Sequence, residues 1–145
     1  MNLGFLLWLA SILPQPSSDQ ICLASTIYLE ARSESALGQA AVAEVALRRR
    51  ESGQWGDSLC SVVTARGQFA LSRTNTNYIV DDWSSFENAW VIAGVAMDIW
   101  ALPPQWRISI VPGADHFFAL RAEAPAWAKG NPLARIGEHA FYSAN

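Results

Sequence analysis

Positive charge is scarce in this chain, as are the residues that bind metals or cross-link loops. Ten Lys and Arg stand against thirteen Asp and Glu in 145 residues, for a net charge of −3. The one sustained basic run is Arg48-Arg49-Arg50. Nucleic-acid binding through phosphate neutralisation needs a basic face, so that class is excluded. The same balance gives no electrostatic pull on anionic envelope polymers, and such a substrate must be held by a cleft. Histidine occurs only as His116 and His139, and neither HExxH nor CxxC spacing is present. Two histidines far apart do not make a metal site, so neither metal nor cofactor is expected. Repeats and low-complexity tracts are absent. At this length the chain forms one domain, large enough for a continuous core.

Long apolar runs are missing too. The longest, Met1 to Leu13, has no Lys or Arg, and Pro14-Gln15-Pro16-Ser17-Ser18 breaks it. Spanning a bilayer takes roughly 20 apolar residues, so this stretch fits the apolar region of a secretory signal instead. It lacks the basic start of such a signal. Two other readings stay open: an uncleaved signal-anchor, touching a membrane transiently through residues 3–13, and a segment that folds back onto the domain. The expected division is residues 1–18 as signal peptide or signal-anchor-like segment and 19–145 as the functional domain, exported to the periplasm or cell envelope.

What the chain does have is apolar bulk, at 51% hydrophobic residues, with seven Trp, three Tyr and six Phe. Between Ile21 and Leu29 apolar residues fall on nearly every side of a helix, which predicts a buried one. Ser17, Ser18 or Asp19 can cap its start. Glu30 ends this run. A carboxylate there is costly unless paired or used, and burial and the helix C-terminus both push its pKa up. It either pairs with Arg32, Arg48 or Arg49 to hold helices together, or serves as a proton donor. A second helix is expected from Glu34 or Ala36 to Ser52, stopped by Gly53, with Ala40, Ala41, Ala43 and Ala46 allowing close approach. Asp57 to Val63 reads as a short helix, and Ala65 to Trp83 as a surface loop bordering a cleft. Ser84-x-x-Glu87 reads as a capping box for a helix from Phe86 to Trp100, ended by Pro103-Pro104. Trp106–Val111 and His116–Ala119 read as a hairpin around Pro112-Gly113. The class is α+β, predominantly helical, with a short β-hairpin.

Five ordered motifs carry a resemblance. They are Glu30-Ala31-Arg32-Ser33-Glu34; Gly38 to Ala43 with Val45 to Arg49; Cys60-Ser61-Val62-Val63; Gln68-Phe69-Ala70; and Ile136-Gly137-Glu138-His139-Ala140-Phe141-Tyr142. Gly113 to Phe118 and Pro125-Ala126-Trp127-Ala128 add to them. Together they resemble the SleB-type cell-wall hydrolases, which include spore-cortex-lytic enzymes and phage and proteobacterial relatives. The likeness runs from Ile21 to Tyr142. Ser33, Arg48 and Ala70 depart from the family's Gly, Asn and Ser.

The resemblance implies a lysozyme-like single domain that cuts the glycan strand of peptidoglycan, acting as a monomer. Glu30 is then the general acid/base, and Tyr28, Gln68, Phe69, His116 and Phe117 are expected to contact substrate, the alternatives being a loop anchor for Gln68 and Phe69 and a structural hydrogen-bonding role for His116 and His139. Many exported members carry cysteines at the positions of Cys22 and Cys60 plus a second pair, which is missing here. That implies a Cys22–Cys60 bridge worth about 3–4 kcal/mol, the alternative being two buried thiols. Glycosidic hydrolysis takes two carboxylates. Glu34, Asp81, Asp82 and Asp115 are candidates for the second, with Glu34 more at home in the turn, holding Arg32 or a backbone amide. A lytic transglycosylase needs one Glu, because the muramoyl C6 hydroxyl attacks internally. The one-Glu reading is favoured over a hydrolytic muramidase of the phage endolysin type. An inactive murein-binding module and a membrane-tethered scaffold are the non-enzymatic alternatives. Arg48, next to the catalytic helix, is expected near Glu30, lowering its pKa.

Overall fold

The computed structural model describes residues 1–144. Six helices come in order: α1 (Leu3–Ile12), α2 (Ser17–Ala31), α3 (Ala36–Ser52), α4 (Leu59–Thr64), α5 (Ala70–Arg73) and α6 (Trp83–Trp100). A 3-10 turn (Pro104–Trp106) and three short strands follow, β1 (His116–Ala119), β2 (Ala134–Ile136) and β3 (His139–Tyr142). The α+β class, mostly helical, matches the sequence reading.

Helix α2 is the axle. Ile21, Cys22, Leu23, Ala24, Ile27 and Tyr28 are all buried on it, and α1, α3, α4 and α6 pack around it. A helix apolar on all sides has no solvent face to offer, so it sits in the middle. Small residues let α3 come close, with Ala41, Ala43 and Ala46 fully buried. Ser35 caps α3 by accepting from the Gly38 amide, and Gly53 ends it at φ +75°, a left-handed conformation suited to glycine. Cys22 and Cys60 are joined in a disulfide that ties α2 to α4, their Cα atoms 5.2 Å apart.

Helix starts differ from expectation in two places. None of Ser17, Ser18 and Asp19 caps α2, whose Asp19 amide is taken by Gln15 Oε1 at 3.0 Å, while the buried Asp19 carboxylate accepts from Arg50 Nη1 at 3.3 Å and the Cys60 amide at 3.2 Å. A tertiary demand from α3 and α4 has taken the carboxylate that local logic assigns to the cap. Asp82, not Ser84, caps α6, accepting from the Ser85 amide at 3.1 Å and the Ser85 hydroxyl at 2.7 Å.

The hairpin lies elsewhere than expected. Residues 106–111 form no strand, because the carboxylate of Glu44 on α3 takes the amides of Ile110 and Val111, each at 2.8 Å, and the Ser109 hydroxyl at 2.9 Å. A segment whose donors are held by a side chain has none left for a ladder. β1 pairs antiparallel with β3, His116 opposite Tyr142 and Phe117 opposite Phe141. β2 covers β3's other edge, giving the order β1-β3-β2. The hairpin is β2–β3, turning at Gly137-Glu138.

The first thirteen residues fold back. Leu3, Leu6 and Ala10 join the core, and the Leu3 and Gly4 amides donate to the Tyr78 and Thr76 carbonyls at 2.8 Å. No break in the packing marks residue 18, since α1 covers α2 with the same apolar side chains that resemble a leader. Phe5, Trp8 and Ile12 remain exposed on its outer face. Among the described residues no helix is long and apolar enough to cross a membrane.

Candidate active site

Glu30 occupies the last turn of α2, half-buried, where the helix runs into the turn Arg32–Ser35. Its Oε1 accepts a 2.5 Å hydrogen bond from the Ala70 amide. Burial raises its pKa; the Ala70 amide pulls the other way, and His139, Arg73 and Arg121 add weaker opposition. No ion pair joins it to Arg32, Arg48 or Arg49 among the described residues. The purely structural reading of Glu30 therefore loses its partner.

The Ala70 amide is placed by its neighbour. Phe69 is 1% exposed, its ring 5.8 Å from that of Phe117, with the Arg49 guanidinium 4.9 Å from its centroid. Phe69 is thus a buried anchor and not a substrate contact, a correction to the sequence reading. Because Ala70 acts through its backbone, the departure from the family's Ser leaves this bond intact.

Arg49 is the buried cation of the site. Its Nε donates to the Asp115 carbonyl at 2.7 Å and its Nη1 to Gln68 Oε1 at 3.2 Å, with Trp55 stacked 4.6 Å away. Burial pushes its pKa down to about 10, against the pull of Asp115 and Glu30. Arg48 points elsewhere. It holds the Val111 and Ala114 carbonyls and Glu44, and lies over Trp100. The expected coupling of Arg48 to Glu30 is overturned: one residue along α3 is about 100° around the helix. Arg48→Asn should leave the pH–rate profile superimposed on the parent's while lowering the melting temperature.

Two cavities meet at Glu30. The wider, about 490 Å³, is lined by Glu30, Arg49 and Gln68 on one side and by His116, Phe117, Phe118 and Trp127 on the other. His116 is held there by Asp115 Oδ1 at 2.8 Å from Nδ1, with the Trp127 ring 4.8 Å away. The narrower, about 200 Å³, has Glu30, Arg32, Glu34, Arg121, Glu138 and His139 in its walls. The wider half carries aromatic rings together with Arg49, Arg73 and Glu123, the narrower carries charged side chains without Phe, Trp or Tyr, and Glu30 is common to both.

Glu34 belongs to the turn. Its Oε1 accepts from the Glu138 amide at 2.8 Å and lies 3.3 Å from Nδ1 of buried His139. That pair is close but not aligned, and His139 Nδ1 has no hydrogen bond. Gly137 fits here at φ +55° because any Cβ would run into the Glu34 carboxylate. Glu34 therefore pins the β2–β3 turn against the start of α3. Glu34→Gln keeps an acceptor for the Glu138 amide, so it should cost about tenfold or less in turnover, far less than the loss of Glu30.

The structure brings Glu30, Gln68, His116 and Phe117 to one cleft. It does not bring Tyr28, which is 1% exposed, its hydroxyl accepting from Arg32 and from the Asp82 amide. Two residues before Glu30, it faces the opposite side of α2. Sequence reasoning gives no site role to Arg49, Arg73, Arg121 or Trp127. Arg49 and Trp127 do lie within motifs shared with the family; Arg73 and Arg121 leave no such signal.

A family described as Cell Wall Hydrolase matches residues 33–142. Among solved structures, the chain is similar to the catalytic domain of the germination-specific lytic transglycosylase SleB from Bacillus anthracis. That match has a TM-score of 0.68 and 24% identity, covering 90% of this chain and 99% of that one. No curated protein matches the chain.

Proposed function

The chain belongs to the cell wall hydrolase family, and on that premise we propose that it is a lytic transglycosylase cutting the MurNAc–GlcNAc bond of peptidoglycan. Membership makes it a peptidoglycan-degrading enzyme, acting outside the cytoplasm. The finer reading rests on one observation: Glu30 is the carboxyl shared by both halves of the cleft, with its pKa raised by burial and no ion-pair partner among the described residues.

A proton donor must be protonated at working pH and within reach of the leaving oxygen. Burial moves Glu30 towards the first condition by raising its pKa, and lining both cavities moves it towards the second. The carboxyl proton passes to the glycosidic oxygen as the bond to the muramoyl C1 breaks. The C6 hydroxyl then attacks C1, and Glu30, now a carboxylate, takes that hydroxyl's proton. The Ala70 amide steadies the carboxylate form between the two steps. The products are a 1,6-anhydromuramoyl end and a free GlcNAc hydroxyl.

Hydrolysis would ask for a second carboxylate poised at the scissile bond. The sequence candidates are engaged elsewhere: Glu34 in the turn, Asp82 as a cap, and Asp115 on His116 and the Ala144 amide. Asp81 does not line either cavity. Glu123, exposed on the rim of the wide half, is the remaining acid there besides Glu30. Mass spectrometry of products from purified sacculi decides the matter. An end lighter by one water is expected, whereas a reducing end would make the enzyme a muramidase with Glu123 as the residue to test. No release at all would favour a binding module.

The disulfide supports export, because such bridges persist in oxidising compartments like the periplasm. Residues 1–18 are proposed as the segment that directs it there, with Phe5, Trp8 and Ile12 exposed on its outer face.

A further inference from the structure

Resting on that reading, we propose that the charged half of the cleft is a subsite for a carboxylate of the stem peptide, with Arg121 as the group that takes it. Arg48, Arg50 and Arg107 each form an ion pair with a carboxylate, and all three lie away from Glu30's cavities. The four arginines that line those cavities, Arg32, Arg49, Arg73 and Arg121, have no carboxylate partner within ion-pair distance among the described residues.

Three of these four are otherwise committed. Arg49 is buried and bonded to Asp115 and Gln68, Arg73 bonds the Gly67 carbonyl, and Arg32 bonds and stacks on Tyr28. Arg121 is exposed, forms no hydrogen bond among the described residues, and stands in the wall of the narrow cavity beside Glu30. Its guanidinium fork matches a carboxylate in two parallel hydrogen bonds.

The two halves divide the substrate between them. Trp127, Phe117 and Phe118 suit the apolar face of an unsubstituted sugar, whereas Arg32, Arg121, Glu34 and Glu138 line the side of Glu30 where such rings are absent. A muramoyl unit carries a lactyl-linked peptide with free carboxylates; its neighbouring GlcNAc does not. The muramoyl unit thus sits on the charged side, and the strand's direction through the cleft is fixed. Glu34 and Glu138 in the same walls are the like charges that oppose the ligand, Glu138 being the exposed one.

The test uses the full chain carrying Glu30→Gln, so that strands are bound without being cut. Soluble glycan strands of matched length serve as the probe, with stem peptides or after amidase removal, titrated by calorimetry. Adding Arg121→Gln should weaken binding of the peptide-bearing strands by about three- to tenfold and leave the stripped strands unchanged. Glu138→Gln should move binding of peptide-bearing strands in the opposite direction. Higher salt should narrow the gap between the two polymers. Equal affinity for both, or an Arg121→Gln loss of the same size on each, overturns the subsite. Product release by the parent with Glu30 intact is scored separately, so failed cleavage with intact discrimination would overturn the transglycosylase reading and leave the subsite standing.

Discussion

Glu30→Gln should lower release of soluble product from murein sacculi by about 10²–10⁴-fold, the usual worth of a positioned acid–base group. The amide keeps the carboxyl's shape and can still accept from the Ala70 amide, but it has no proton to transfer. The pH dependence carries a sign. Since burial raises the Glu30 pKa, the acid stays protonated to a higher pH than an ordinary carboxyl, and turnover should decline as pH rises through that raised value. The same shift acts on stability. A folded-state pKa above the unfolded one means that the native state holds more protons between the two, so stability is full at low pH and falls as pH rises through the folded value. Gln removes this penalty. The variant should therefore melt no lower than the parent at neutral pH while being nearly inactive, and the difference in melting temperature should vanish in acid. A variant that keeps parental turnover would remove Glu30 from the chemistry; one that melts far below the parent would show a structural role instead.

How much of this could be read without coordinates depends on the range of the forces involved. The buried axle, the end of α3 and the Glu30 position are local matters of apolar periodicity and a glycine stop. They were legible. The hairpin was not, because Glu44, far away in sequence, takes the amides of Ile110 and Val111 from any ladder. Asp19 likewise looks like a cap until Arg50 and Cys60 claim it from across the fold. Phe69 sits within a family motif and Tyr28 just before one, and motifs mark core residues as readily as cleft residues. Phe69 illustrates this: it shapes the site by burying its ring and presenting the next amide. Arg48 and Arg49 are neighbours in a basic run, and only the helical rotation between them decides which one faces Glu30. The contribution of Arg121 depends on what it does not touch, which no motif records.

Removing the bridge with Cys22→Ala and Cys60→Ala together should destabilise the domain by about 4 kcal/mol on the loop-entropy model, given their separation of 38 residues. For a chain of this size that is a fall of roughly 10–15 °C in melting temperature. The effect is large because the bridge joins the ends of a long excursion. Between Cys22 and Cys60 the chain runs through the end of α2, with Glu30, and all of α3, with Arg49. Holding α4 on α2 limits how far the unfolded chain can spread before α3 packs. In the folded state Cys22 is 1% exposed, so part of its contribution is ordinary core packing that alanine retains imperfectly. Reduction of the parent separates the two, since it opens the loop without deleting either sulfur. Parent in reductant should therefore melt between the oxidised parent and the double variant. Thiol alkylation of the native protein, followed by mass spectrometry, should find no reactive cysteine before reduction and two after. If the double variant melts within a degree or two of the parent, packing around α2 carries the stability alone. The bridge would then mark only the oxidising compartment in which the chain folds.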